Sequence, residues 1–548
     1  MSSEESSDLS DSSCEMYLLL SKRRKISSDD ERESDYEDSS SDNCNRNAIN
    51  EEWFDPVEKK PRLKPFLYTT GIDTSNSKVL TCQEPIDFYS LLVTDEIFET
   101  IACQTNLYAN EVLTSNKSNR LSAWYSTDKC EIKRFFGLIM WMGLVKLPTV
   151  HLYWSKDVCF EQSFPRAIMS RNRFEMLLRM IQFAENKQVD EPENQLLKIK
   201  ELIDALNTNF KEYFTPGEIV CVSESIIPFH GRIIYRQHIK DKQYRHGIKL
   251  IKLCTTSGYT YSLQVHPGKT STRQNTIATS IVMSLCENII GKGHVLCTDN
   301  CYINIDLAKK LIEVDTYLIG TLRTTYRSIP TEMKSKILKP GEIIVKENKD
   351  GIIIFKLKDK EEVYILSTKH STEMVATTRH GNSYLKPKII IDYNEGKSYI
   401  DQSNQMSSHI NELRKTIKWY KRLAFEVLLN TSVVNAMIMF NSKKNTRISC
   451  LDFKRKIVMC LTARTDQDVL PSPSTNATVK RHEMETKEGK AWRARRQCRR
   501  CYEENVKKFG RQFAKNRSVK VVTFCKDCDG MPHYCLPCFN IIHRNMSN

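Results

Sequence analysis

The run Glu218-Ile-Val-Cys-Val222, continuing as Ser223-Glu-Ser-Ile-Ile-Pro-Phe-His-Gly-Arg232, begins the strand-like part of this chain. Branched apolar residues fit a pleated surface, so the run is expected to be a strand. The same character returns in Gly247-Ile-Lys-Leu-Ile-Lys-Leu-Cys254 and Thr260-Tyr-Ser-Leu-Gln-Val265. A helix-like stretch follows from Thr276 to Ile290, and then another strand, His294-Val-Leu-Cys-Thr298.

Three β-rich runs, a helix and a further strand match the order of an RNase H-like α/β fold. Downstream, Glu342-Ile-Ile-Val-Lys346 and Ile352-Ile-Ile-Phe-Lys-Leu357 flank Asp350-Gly351, a hairpin signal. Upstream, from about Phe88 to Tyr213, the pattern is helical: Ile132, Phe135, Phe136, Ile139 and Met142 recur at spacings of three and four. Helical pattern resumes from Gln405 to Asn441. Residues 465–490, with Pro471-Ser-Pro-Ser474, are expected to be a linker.

A chain of 548 residues is too long for one core. Its net charge of +15 conceals an asymmetry: residues 1–60 hold 8 Lys+Arg against 17 Asp+Glu, leaving 74 against 50 in the remainder. The acidic, serine-rich first 60 residues bury too little apolar surface to offset ordering entropy and are expected to be disordered. Within them, Lys22-Arg-Arg-Lys25 followed by Ser27-Ser-Asp-Asp30 fits a nuclear import signal modulated by phosphorylation, or a chance charge run. The basic body, net +24, favours a polyanionic partner. The N-terminus lacks the pattern of a signal peptide, and no apolar run approaches the roughly 20 residues needed to cross a bilayer. The expectation is an intracellular protein with no membrane partner and reduced or metal-bound cysteines.

Of 19 cysteines, six fall between Cys498 and Cys538. Cys498-x-x-Cys501, Cys525-x-x-Cys528 and Cys535-x-x-Cys538 are a zinc signal, because thiolates two residues apart present both sulfurs to one tetrahedral ion. With His533 and His543 they make eight ligands, enough for two zinc ions, with a surface histidine as the alternative reading of His533. Residues 491–548 carry 13 Lys+Arg against 4 Asp+Glu, which suits a small DNA reader, with a protein-interaction finger as the alternative.

Three stretches resemble the piggyBac family of DNA transposases: Val222 to Arg232, Cys297-Thr-Asp-Asn300 and Tyr399-Ile-Asp-Gln-Ser-Asn-Gln-Met406. Leu147-Pro-Thr-Val-His-Leu-Tyr-Trp-Ser-Lys-Asp157, Met169-Ser-Arg-Asn-Arg-Phe174 and Trp419-Tyr-Lys-Arg-Leu423 add to the resemblance. In that family each of the three stretches supplies a carboxylate to a two-metal site. Asp299 and Asp401 match the second and third. Ser223 stands in place of the first, and Asn404 in place of a fourth family acid. Glu224 matches a glutamate the family already has, and on a strand it faces away from position 223. The resemblance therefore implies a degenerate catalytic centre, with magnesium there in doubt, and a DNA-binding protein that has lost cut-and-paste chemistry; the alternative is an active metal-dependent nuclease using a substitute acid. It also implies phosphate contacts or base stacking by Arg232, Arg236, Lys249, Arg323, Arg414, Lys415, Lys418 and Trp419, with core as the alternative for Trp419. His230 stands where the family often has lysine. A cross-braced tail in which alternating cysteine pairs share an ion, a homodimer, double-stranded DNA as partner and a nuclear location follow from the same resemblance.

The domain layout implied is an acidic tail at 1–60, a helical dimerisation and DNA-binding domain at 85–215 and an RNase H-like transposase core at 216–330 and 386–445. A β-rich insertion is expected at 331–385, a helix and linker at 446–495, and the zinc-binding module at 496–545.

Overall fold

The computed structural model describes residues 52–56, 63–115, 123–185, 195–229, 236–238, 246–266, 274–358, 361–379, 382–408, 418–463, 484–487, 494–526, 528 and 530–544. The acidic tail before residue 52 and its basic cluster lie outside the described residues. The chain forms two compact units, 1–129 with 176–454 and 130–175 with 455–548.

The first unit is built on a ten-stranded mixed sheet. Its strands are β1 (Trp53–Phe54), β2 (Ile219–Pro228), β3 (Arg236–His238), β4 (His246–Thr255), β5 (Tyr259–Val265), β6 (Val295–Thr298), β7 (Tyr317–Leu322), β8 (Ile343–Asn348), β9 (Ile353–Lys358) and β10 (Glu362–Ser367). They lie in the order β1-β8-β9-β10-β7-β6-β2-β4-β3, and β5 pairs with the same strand as β3. β2, β6 and β7 are parallel neighbours, and the other pairs are antiparallel. The expected hairpin is β8–β9: Gly351 supplies its turn at φ 78°, and the two strands join the same sheet as the upstream strands.

The helix Lys388–Ser408 lies against the sheet. It begins 17 residues before Gln405, where helical pattern was expected to resume. The polar residues on its inward side explain the difference. Ile389, Tyr393, Gly396, Ile400, Ser403 and Ser407, three or four apart, are all buried, but three of the six are not apolar, so the apolar repeat is hidden. Gly396 permits the close approach, because an added Cβ would lie 2.7 Å from Cys297 Cβ on β6. A second helical run, Trp419–Lys444, contains a π-turn at Val427–Thr431. Contrary to the expectation that no run nears spanning length, its 26 residues are long and apolar enough to cross a membrane by length and composition, but 94% of the apolar window is buried inside the protein. Its Asn435 ties it to the sheet, accepting from Thr260 N and donating to Thr260 O, both at 2.8 Å.

In the second unit, the predicted inward residues of the helix Lys129–Leu144, Ile132, Phe135, Phe136, Ile139 and Met142, are all buried. Arg173 forms a buried two-pronged ion pair with Glu131, Nε to Oε1 at 2.7 Å and Nη2 to Oε2 at 2.6 Å. Within the stretch expected to be a linker, Met484–Thr486 forms a strand paired with Thr523–Cys525 of the cysteine-rich tail.

Candidate functional site

β2 carries Ser223 and Glu224 side by side, so their side chains leave opposite faces of the sheet. Parallel pairing sets Cys297 of β6 beside Cys221 and Thr298 beside Val222, which brings Asp299, directly after β6, level with Ser223. The helix Lys388–Ser408 crosses this face and adds Asp401 and Asn404. All four sequence-predicted positions, together with Glu224 and Lys397, border one cleft of about 190 Å³. Asp401 lies in the helix interior, one turn after Lys397.

Ser223 is buried, Asp299 half-buried and Asp401 exposed. Asp299 Oδ1 accepts from the Asn300 backbone N–H at 2.8 Å. Asn404 Oδ1 is buried and has no hydrogen-bond partner among the described residues. Glu224 forms an ion pair with Lys249, and Lys249 also lies 5.6 Å from the centre of the Tyr302 ring. Burial, with the Glu224 charge second, pushes the Tyr302 hydroxyl up, and burial with the Lys249 charge pushes His266 down to about 4. Strand alternation turns the Glu224 side chain away from that of Ser223, and although Glu224 borders the cleft its carboxylate is paired with Lys249 rather than left open to replace a missing acid.

Two divalent ions roughly 4 Å apart need several carboxylates to neutralise them. The cleft does not fit that requirement. It offers Asp299 and Asp401 with two neutral side chains. Among the described residues, the only three or more potential ligands with donor atoms all within 4.8 Å of one another are Cys498, Cys501, Cys535 and Cys538.

The predicted DNA-contacting residues are distributed unevenly. Arg232, Arg414, Lys415 and His230 lie outside the described residues, and Arg236 is on β3. Lys249 is paired with Glu224. Lys418 is exposed and lies 5.7 Å from the Tyr108 ring centre, and Arg323 is exposed with Nη2 3.7 Å from Cys301 Sγ. Trp419 is buried at 9% exposure and packs edge-on against Tyr420, leaving little ring face for a base. Sequence reasoning missed Lys397 and Lys252. The second had a signal: Lys249 and Lys252 are three apart on a strand, so one of them must face inward.

The cysteine-rich tail brings the first and third pairs together. Cys501 Sγ lies 3.5 Å from Cys538 Sγ and 3.9 Å from Cys535 Sγ, and Cys498 Sγ lies 3.7 Å from Cys535 Sγ. A tetrahedron with Zn–S bonds of about 2.3 Å has edges of about 3.8 Å, so the four sulfurs are spaced to hold zinc. Burial raises the Cys498 thiol, but hydrogen bonds from the Cys501 and Cys535 backbone outweigh it and hold the group below its ordinary value. Cys525 is buried and Cys528 half-buried close by. His533 Nε2 is buried with no hydrogen-bond partner among the described residues. His543 falls in the helix Leu536–Arg544, and its side chain lies outside the described residues.

Residues 84–437 match the family model described as Transposase IS4. The chain is 25% identical over 397 residues to human PiggyBac transposable element-derived protein 3, covering 68% of this chain and 64% of that protein. It is 23% identical to human PiggyBac transposable element-derived protein 5 over 48% of this chain and 51% of that one. The chain therefore spans less than two thirds of the length of these relatives. The fold is similar to that of the piggyBac transposase solved by cryo-electron microscopy as a synaptic complex with hairpin DNA, with a TM-score of 0.63 and 24% identity over 75% of this chain and 86% of that one. The chain belongs to the piggyBac-type transposase family.

Proposed function

We propose that this chain is a nuclear, transposase-derived protein that binds double-stranded DNA and has lost cut-and-paste catalysis. The observation that carries the proposal is the cleft, where Ser223 and Asn404 stand beside Asp299 and Asp401 and leave two carboxylates for two metal ions. The mixed sheet around it is taken as an RNase H-like core. DNA as partner rests on the basic body, on the basic tail and on the DNA-bound state of the piggyBac transposase that shares the fold. In the tail, Cys498, Cys501, Cys535 and Cys538 hold one zinc ion, while Cys525, Cys528, His533 and His543 hold a second. The orphaned Nε2 of His533 supports that second site. A homodimer and nuclear import through Lys22-Arg-Arg-Lys25 complete the proposal.

The test is incubation of purified chain with supercoiled plasmid and with piggyBac terminal-repeat duplex in magnesium or manganese. The proposal expects binding without nicking. Nicking that Asp299→Asn abolishes would establish the rival, an active nuclease.

A further inference from the structure

Antiparallel pairing of β2 with β4 sets Lys252 directly opposite Ser223. Opposite residues share a face, with Cβ atoms about 4.5–5.5 Å apart, so Lys252 projects to the side of the sheet covered by the helix Lys388–Ser408. Neighbouring contacts support this placement. Cys254, two residues on, hydrogen-bonds with Ser403 of that helix, and Ser403 Oγ lies 3.2 Å from Thr260 Oγ1. Lys252 is fully buried, at 0% exposure, and its Nζ has no hydrogen-bond partner among the described residues. Asn404 Oδ1 and Ser407 Oγ, on the facing helix, are also buried and without partners among the described residues.

A buried ammonium is costly unless oxygens surround it. Here one cationic donor and two neutral acceptors are left over on two elements packed against each other, beside the only two cleft positions where neutral side chains replace expected acids. We propose that Lys252 is a built-in replacement cation: its ammonium, held by Asn404 and Ser407 directly or through water, occupies the charge position that a divalent ion would take and excludes that ion. This rests on the proposed loss of metal catalysis and deepens it. Acid loss alone weakens metal binding, whereas a fixed positive charge opposes it even when the acids are restored.

The experiment uses the full chain with manganese as probe, read by electron paramagnetic resonance, and compares wild type, Ser223→Asp/Asn404→Asp, and the same double variant with Lys252→Met. The double variant is expected to bind manganese no better than wild type, because the new carboxylates pair with Lys252. The triple variant is expected to bind on the order of ten-fold tighter or more. Equal gains in the double and triple variants would overturn the proposal. Thermal melting in chelator keeps the test open if the triple variant fails to fold: the double variant is expected to melt above wild type because Lys252 gains a carboxylate, and a lower melting point would count against it. Metal-dependent nicking by the wild type would instead overturn the underlying loss of catalysis, so the two failures are distinguishable.

Discussion

Asp392 shows how single residues hold the cleft in shape. It lies near the start of the helix that carries Asp401 and Asn404, and it accepts from His370 Nε2 at 2.9 Å and Lys388 Nζ at 2.6 Å. Ser367 Oγ already accepts from the Lys369 and His370 backbone N–H groups, so its hydroxyl donates to His370 Nδ1, leaving Nε2–H for Asp392. Burial would raise the Asp392 carboxyl, but His370 and Lys388 outweigh it and hold the group below the ordinary aspartate range. A carboxyl lowered by folding contributes stability that is present above the unfolded value and is lost as pH falls through the folded one. Asp392→Asn is therefore expected to cost about 1.5–3 kcal/mol at neutral pH and to flatten the loss of stability below pH 4, measured by urea melts across pH. An unchanged acid limb would contradict this account. At this scale the four site positions were legible because short motifs carry them. Lys252 was not, because its meaning depends on strand register, which pairs residues about 30 positions apart.

At the scale of elements, the strands read from β-branched runs all formed, and the Asp350-Gly351 turn joined the two expected strands. Four of the sheet's ten strands, Trp53–Phe54, Arg236–His238, Tyr317–Leu322 and Glu362–Ser367, were missed in sequence, and the helix Lys388–Ser408 was seen only in its last turn. Its inward face uses glycine and serine where close approach to the sheet matters, so hydrophobic period fails as a signal there. The cysteine tail was the most legible element, since ligand spacing is set by coordination chemistry rather than by packing. Structural zinc contributes about 10–16 kcal/mol to folding in small fingers near neutral pH, so Cys498→Ser is expected to unfold residues 496–545, measured by hydrogen exchange. Protection unchanged in the variant would remove zinc from the account. His533→Ala is expected to lower zinc from two ions per chain toward one by metal analysis, and an unchanged count would assign His533 to the surface.

Across the whole molecule, charge is the dominant property: an acidic first 60 residues and a basic remainder of net +24. Binding that is mainly electrostatic releases counterions, so log affinity should fall linearly with log salt. Arg495→Ala and Arg496→Ala, both exposed in the tail, are each expected to reduce that slope by about one and to weaken binding to all sequences alike. Loss of affinity for one sequence only would assign these arginines to base contacts instead. The most direct test of the central claim uses labelled duplexes that the protein itself selects from a random-sequence pool, with affinity and strand integrity measured together in magnesium, manganese and chelator. The account predicts tight, salt-sensitive binding in chelator and intact strands in all three. Strand breaks that appear only with a divalent ion and disappear in Asp299→Asn would contradict it.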